Sequence, residues 1–160
     1  LPTGQGSLVL GWALAFEELR ASGEIDRLPR IYALQPENCA PLEAAFRKGS
    51  DIPEAIEKKE TIAEGISSAE PVRGEQVLAA VRRSEGAVLA FSERAIREGF
   101  RRLAQRGLYV EPTSAVVAAA LQKLENAGDL RREERIVALL SGSGLKATDK
   151  ILSLSRDHPA

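Results

Sequence analysis

Methionine is absent from this chain of 160 residues, and cysteine and histidine occur once each, as Cys39 and His158. A disulfide framework within the chain is excluded, since one bridge needs two cysteines. A Cys/His metal centre is excluded for want of ligands. No apolar run reaches the length of a membrane span, and no secretory leader precedes the first residues. The default compartment is therefore the cytoplasm. Net charge is -1, from 22 Lys and Arg against 23 Asp and Glu. That balance argues against a nucleic-acid surface as the main business of the chain. No Gly-Lys-Ser/Thr sequence occurs, so a P-loop is excluded. The missing methionine and the abrupt opening LPTGQGSLVL suggest a piece of a longer polypeptide, or else a trimmed terminus.

What is present suits one soluble domain: 44% hydrophobic and 28% charged residues over a modest length. Arginines and glutamates alternate on helical stretches, as on solvated faces with i,i+4 pairs. Ser7 to about Ala21 has helical spacing, with Ser7 as the expected cap and Gly23 as the stop. It is apolar almost all round, so cover on most sides is expected. Arg30 to Gln35 reads as a strand ended by Pro36, and Pro41 to Phe46 as a helix. Thr61 to Ile66 reads as an ordered loop. Gly74 to Arg83 forms a helix, Ala87 to Phe91 a strand, and Ser92 caps a further helix that Gly107 stops. Tyr109-Val110 is extended, and Thr113 or Ser114 caps an alanine-rich helix ending near Gly128. Ile136 to Leu140 is a continuous apolar run, the pattern of a strand covered on both faces. A short terminal helix follows.

Strands alternating with helices indicate α/β architecture: a three-layer sandwich with a mostly parallel sheet flanked by helices. In such sheets ligands sit at the carboxyl ends of strands. Gly4-Gln5-Gly6-Ser7 and Ser141-Gly142-Ser143-Gly144 occupy such ends. The first opens a helix, where amide donors and the helix dipole favour an anion. It reads either as a phosphate cradle or as a tight turn without a ligand. A dinucleotide fingerprint is not met, because Val9 stands where a third glycine belongs. Ser141 can bond a ligand nitrogen or cap the next turn. Cys39 reads as an incidental thiol, His158 as a solvated tail residue, and Glu64 as either a cleft or a surface residue.

Four stretches in order, LPTGQGSLVLGWALAFEELRASGEIDRLPRIYALQPENCAPLEAAF, TIAEGISSAEPVRG, VEPTSAVVAAALQKL and RIVALLSGSGLK, resemble the C-terminal part of threonine synthase. This is a pyridoxal-phosphate enzyme of fold type II, the tryptophan-synthase-β-like class. The resemblance implies conversion of O-phosphohomoserine and water to threonine and phosphate by the whole enzyme. It implies that Gly4, Gln5, Gly6, Ser7 and Leu8 hold the cofactor phosphate and that Ser141 meets the pyridine nitrogen. Threonine synthases usually carry Thr at that last position, and Ser is common in the related dehydratases. The family's Schiff-base lysine precedes the phosphate loop, whereas Lys48, Lys58, Lys59, Lys123, Lys146 and Lys150 all follow it. The resemblance therefore implies no catalytic residue in this chain and no synthase activity for the segment alone. The missing N-terminal half would be its partner, with a homo-oligomer possible. A serine/threonine dehydratase, or a non-catalytic interaction module that kept the fold, are the alternatives.

Overall fold

Strands with apolar side chains on alternate faces need cover on both sides. The computed structural model, which describes residues 1–131 and 133–156, supplies that cover as two helical layers. β1 (Tyr32–Pro36) and β2 (Ala87–Phe91) pair in parallel, in register from Tyr32 opposite Ala87 to Pro36 opposite Phe91. Leu1 to Thr3 extend the sheet on the other side of β1. Leu34 donates its amide to Leu1 O at 3.0 Å, and Thr3 donates to Leu34 O at 2.9 Å. The glycine loop thus follows a short strand stub, parallel to β1 at Pro2 and Leu34.

One sheet face carries Ala33 and Val88. They pack with Val9 and Ala13 of α1 (Ser7–Ala21), Leu42 of α2 (Pro41–Lys48), and Val77 and Val81 of α3 (Gly74–Arg83). The opposite face carries Leu34 and Phe91. They pack with Ile96 of α4 (Glu93–Gln105) and with Val116 and Ala120 of α5 (Pro112–Ala127). The three layers and the parallel pairing are those expected from the sequence, around a smaller sheet. The small residues of α5 let α4 approach closely: a Cβ on Gly99 of α4 would lie 2.6 Å from Ala115 O. Ile151 and Leu154 of α6 (Thr148–Arg156) are buried.

Helix ends depart from the expected caps. Ser92 does cap α4, accepting from the Ala95 amide at 3.3 Å. Ser7 does not cap α1. Gly6 takes that position in a left-handed conformation, and Ser7 is the first helical residue. Thr113 and Ser114 do not cap α5 either. Pro112 takes a first-turn position that suits its fixed φ, which places the cap at Glu111. At α2 the cap comes from the preceding strand. The fully buried Gln35 accepts the Leu42 and Glu43 amides on Oε1 at 3.0 and 3.1 Å.

Two apolar stretches differ from expectation. Ile136 to Leu140 forms no strand, and Ile136 and Val137 are 47% and 71% exposed. The chain beyond it is fixed elsewhere, with Ser143 bridging Val110 antiparallel and Gly142 O accepting the Glu111 amide at 3.0 Å. Among the described residues the run pairs with no strand, and it stays open. α1 is likewise covered on one face only. Val9 and Ala13 are buried, while Leu14 is 58% and Leu19 40% exposed. No helix among the described residues is long and apolar enough to cross a membrane.

Candidate functional site

The turn into α1 is built to leave donors unpaired. Gly6 has φ +96°, and the first helical bond runs from the Leu10 amide to Gly6 O at 3.0 Å. The amides of Ser7, Leu8 and Val9 therefore lack helical acceptors. The first turn holds no acidic residue, so the positive end of the helix dipole is not neutralised. Gly4 packs against the next wall, where a Cβ would lie 3.2 Å from Ile66 Cα. The Gln5 side chain turns outward: Nε2 donates to Ser68 Oγ at 2.8 Å, and Oε1 accepts the Val72 amide at 3.0 Å. One amide group thus binds the glycine loop to the segment before α3.

The second wall is a 3₁₀ turn, Glu64–Ile66. Gly65 donates its amide to Thr113 Oγ1 at 3.1 Å, and a Cβ on Gly65 would lie 2.8 Å from that oxygen. The third wall is the start of α5, and the fourth is the Ser141-Gly142 turn. Ser114 Oγ accepts the Gly142 amide at 2.9 Å. The two hydroxyls expected to cap α5 are thereby spent on two other walls. The Glu111 carboxylate lies against Gly142, where a Cβ would overlap it, so a side chain at that position would displace the carboxylate.

These four walls enclose an open cleft of about 360 Å³. Gly4, Gln5, Gly6, Ser7 and Leu8 line it, and Ser141 lies among the same lining residues. The two loops from opposite ends of the chain are therefore brought together. Sequence reading missed Glu111 and Thr113, which also line the cleft. The only local signal was a carboxylate immediately before a helix-opening proline, in Glu111-Pro112. Other candidates lie apart. Cys39 is fully buried in the 3₁₀ turn Glu37–Cys39. Glu64 points to the surface and pairs with Lys150 at 2.7 Å. His158 lies outside the described residues. No lysine lines the cleft; Lys48 pairs with Glu54, and Lys123 stands over the Phe91 ring. Among the described residues, no three His, Cys, Asp or Glu side chains gather as metal ligands.

Chemically, the cleft offers three unpaired amides and the Ser7 hydroxyl at one end. That donor set fits a phosphate-sized anion. Away from that loop it offers a neutral hydroxyl, Ser141, and a carboxylate, Glu111. Its size suits a small cofactor or substrate.

Comparison with known proteins agrees with this chemistry. Residues 1–142 match the family described as pyridoxal-phosphate dependent enzyme. Threonine synthase of Methanocaldococcus jannaschii is 34% identical over 158 residues, covering 98% of this chain and 39% of that protein. The chain thus spans about two fifths of the length of that relative. Among solved structures, the T.th. threonine deaminase is 26% identical with a TM-score of 0.60, covering 81% of this chain and 44% of the other. The processed form of threonine deaminase isoform 2 from Solanum lycopersicum has a TM-score of 0.70 at 21% identity, covering 98% and 41%; this likeness bears on the fold.

Proposed function

The chain belongs to the family of pyridoxal-phosphate-dependent enzymes, and from that premise we propose that it is the C-terminal segment of a threonine-synthase-like lyase of threonine biosynthesis. The whole enzyme converts O-phosphohomoserine and water to threonine and phosphate. The observation that carries this reading is the meeting of Gly4 to Leu8 with Ser141 in one cleft. The similarity to a threonine synthase over nearly the whole chain supports the choice of reaction.

Pyridoxal phosphate, when bound, supplies an electron sink for elimination and replacement at amino-acid carbons. The residues of this chain hold and tune it. The Ser7, Leu8 and Val9 amides donate to the phosphate, with the α1 dipole favouring the dianion. Gln5 keeps that loop in place through Ser68 and Val72. Ser141 presents a neutral hydroxyl to the ring nitrogen, which does not enforce a proton there as a carboxylate would. No lysine of this chain lines the cleft. The group that binds the cofactor covalently and moves protons therefore belongs to the N-terminal half. That half also covers the exposed face of α1 and pairs with the open Ile136 to Leu140 run.

Assay of the parent enzyme decides the reaction. Release of phosphate from O-phosphohomoserine supports the synthase. Release of ammonia from threonine in its place supports the second reading, a serine/threonine dehydratase. Ser141 where threonine is usual, and the likeness to a threonine deaminase structure, favour that alternative. The isolated chain, incubated with cofactor and borohydride, is expected to give no stoichiometric adduct on a single lysine by mass spectrometry. One such adduct would overturn the assignment of the lysine to the other half.

A further inference from the structure

Ser114 is the third residue of α5 and is fully buried. A serine hydroxyl has one hydrogen and two lone pairs. One lone pair of Ser114 takes the Gly142 amide at 2.9 Å. Its hydrogen has two acceptors within 3.4 Å, the Ser141 hydroxyl oxygen and the Gly142 carbonyl. The Gly142 carbonyl already accepts the Glu111 amide at 3.0 Å. Ser141 Oγ has no other partner among the described residues, so both of its lone pairs are open, against one on the Gly142 carbonyl. A Ser141 oxygen that accepts from Ser114 directs its own hydrogen away from α5, and Ser141 lines the cleft.

We propose that Ser114 is a positioning residue, which holds the Ser141-Gly142 turn through the Gly142 amide and orients the Ser141 hydroxyl as a hydrogen-bond donor into the cleft. The chain of donors runs from Gly142 N–H to Ser114, from Ser114 to Ser141, and from Ser141 to the ligand. This rests on the reading in which Ser141 meets the ring nitrogen of pyridoxal phosphate. A donor at that position matches an unprotonated nitrogen and resists its protonation. The 3.4 Å step is long for an O–H···O bond, and such contacts tighten when the ligand draws on them.

The test uses the cofactor-loaded parent enzyme with pyridoxal phosphate labelled with ¹⁵N in the ring, and reads the nitrogen shift against pH. Ser114→Ala is expected to move the signal towards the protonated form and raise the midpoint of the ring nitrogen by about one unit. Ser114→Thr, which keeps the hydroxyl, restores it. In a Ser141→Ala background, Ser114→Ala adds no further shift, which separates positioning from a general loosening of the fold. Should Ser114→Ala not fold, Ser114→Cys replaces the hydroxyl by a weaker donor and is read in the same way. An unchanged nitrogen signal in the Ser114 variant, beside a changed one in Ser141→Ala, overturns the proposal and leaves the cofactor reading standing. A signal that Ser141→Ala does not move overturns the cofactor reading itself.

Discussion

Gly6 sits so close to Val77 that a Cβ at Gly6 would lie 2.3 Å from Val77 Cγ2. The contact locks the glycine loop onto α3, and the φ of +96° at Gly6 turns the chain into α1. Only glycine adopts that conformation without strain. Gly6→Ala therefore combines backbone strain with overpacking, and about 2 to 4 kcal/mol of stability is expected to be lost. Urea unfolding measures this. A double-mutant cycle with Val77→Ala should show favourable coupling, because the smaller side chain relieves the overlap but not the strain. Zero coupling would mean that the loop does not rest on Val77.

Gln35 carries the N-terminus of α2 on one oxygen atom. Gln35→Leu is close in size but leaves the Leu42 and Glu43 amides without an acceptor. A loss of about 2 to 4 kcal/mol is expected. It should appear as a lower urea midpoint with an unchanged slope, since the fold is retained. A loss below about half a kcal/mol would show that another group takes over the cap.

Gln5 joins two loops through bonds at exposed positions. Gln5→Ala should therefore change global stability by only about 1 kcal/mol or less. Hydrogen exchange at the Val72 amide should nevertheless accelerate, because its acceptor is gone. Unchanged exchange there would remove Gln5 from its role as the tie between the loops.

The Glu134 carboxyl is held below its usual value, chiefly by the Arg131 backbone amide it accepts and also by the nearby Arg30 guanidinium. A carboxyl lowered in the folded chain stabilises it above the ordinary carboxylate range. That contribution is lost as pH falls through the lowered value. An NMR titration should place the Glu134 midpoint below that of an unpaired glutamate, and Arg30→Ala should raise it. A midpoint unaffected by Arg30→Ala would contradict the contact.

Much of this fold was legible because its signals are local. α1, α3 and β2 begin and end where apolar periodicity meets glycine, proline or a cap residue. The glycine loop and Ser141 stood out as small-residue turns beside apolar runs. Three features were not legible, each because it depends on a distant partner. Gln35 looks like an ordinary polar residue at a strand end, and nothing in its spacing shows that it reaches the amides of the next helix. Thr113 and Ser114 have the chemistry of caps, but Pro112 displaces them into the helix, where they bond Gly65 and Gly142. Ile136 to Leu140 has the composition of a covered strand. Composition reports a need for cover without saying which part of a polypeptide provides it.

The most direct test of the shared cleft is an amide-resolved NMR titration of the 160-residue chain with pyridoxal phosphate, with pyridoxal and inorganic phosphate as controls. Saturable shifts are expected together at Ser7, Leu8, Val9 and Ser141, with phosphate alone moving only the first three. Saturable binding that moves neither loop, or that moves one and leaves the other at its free position, would contradict a single site between them.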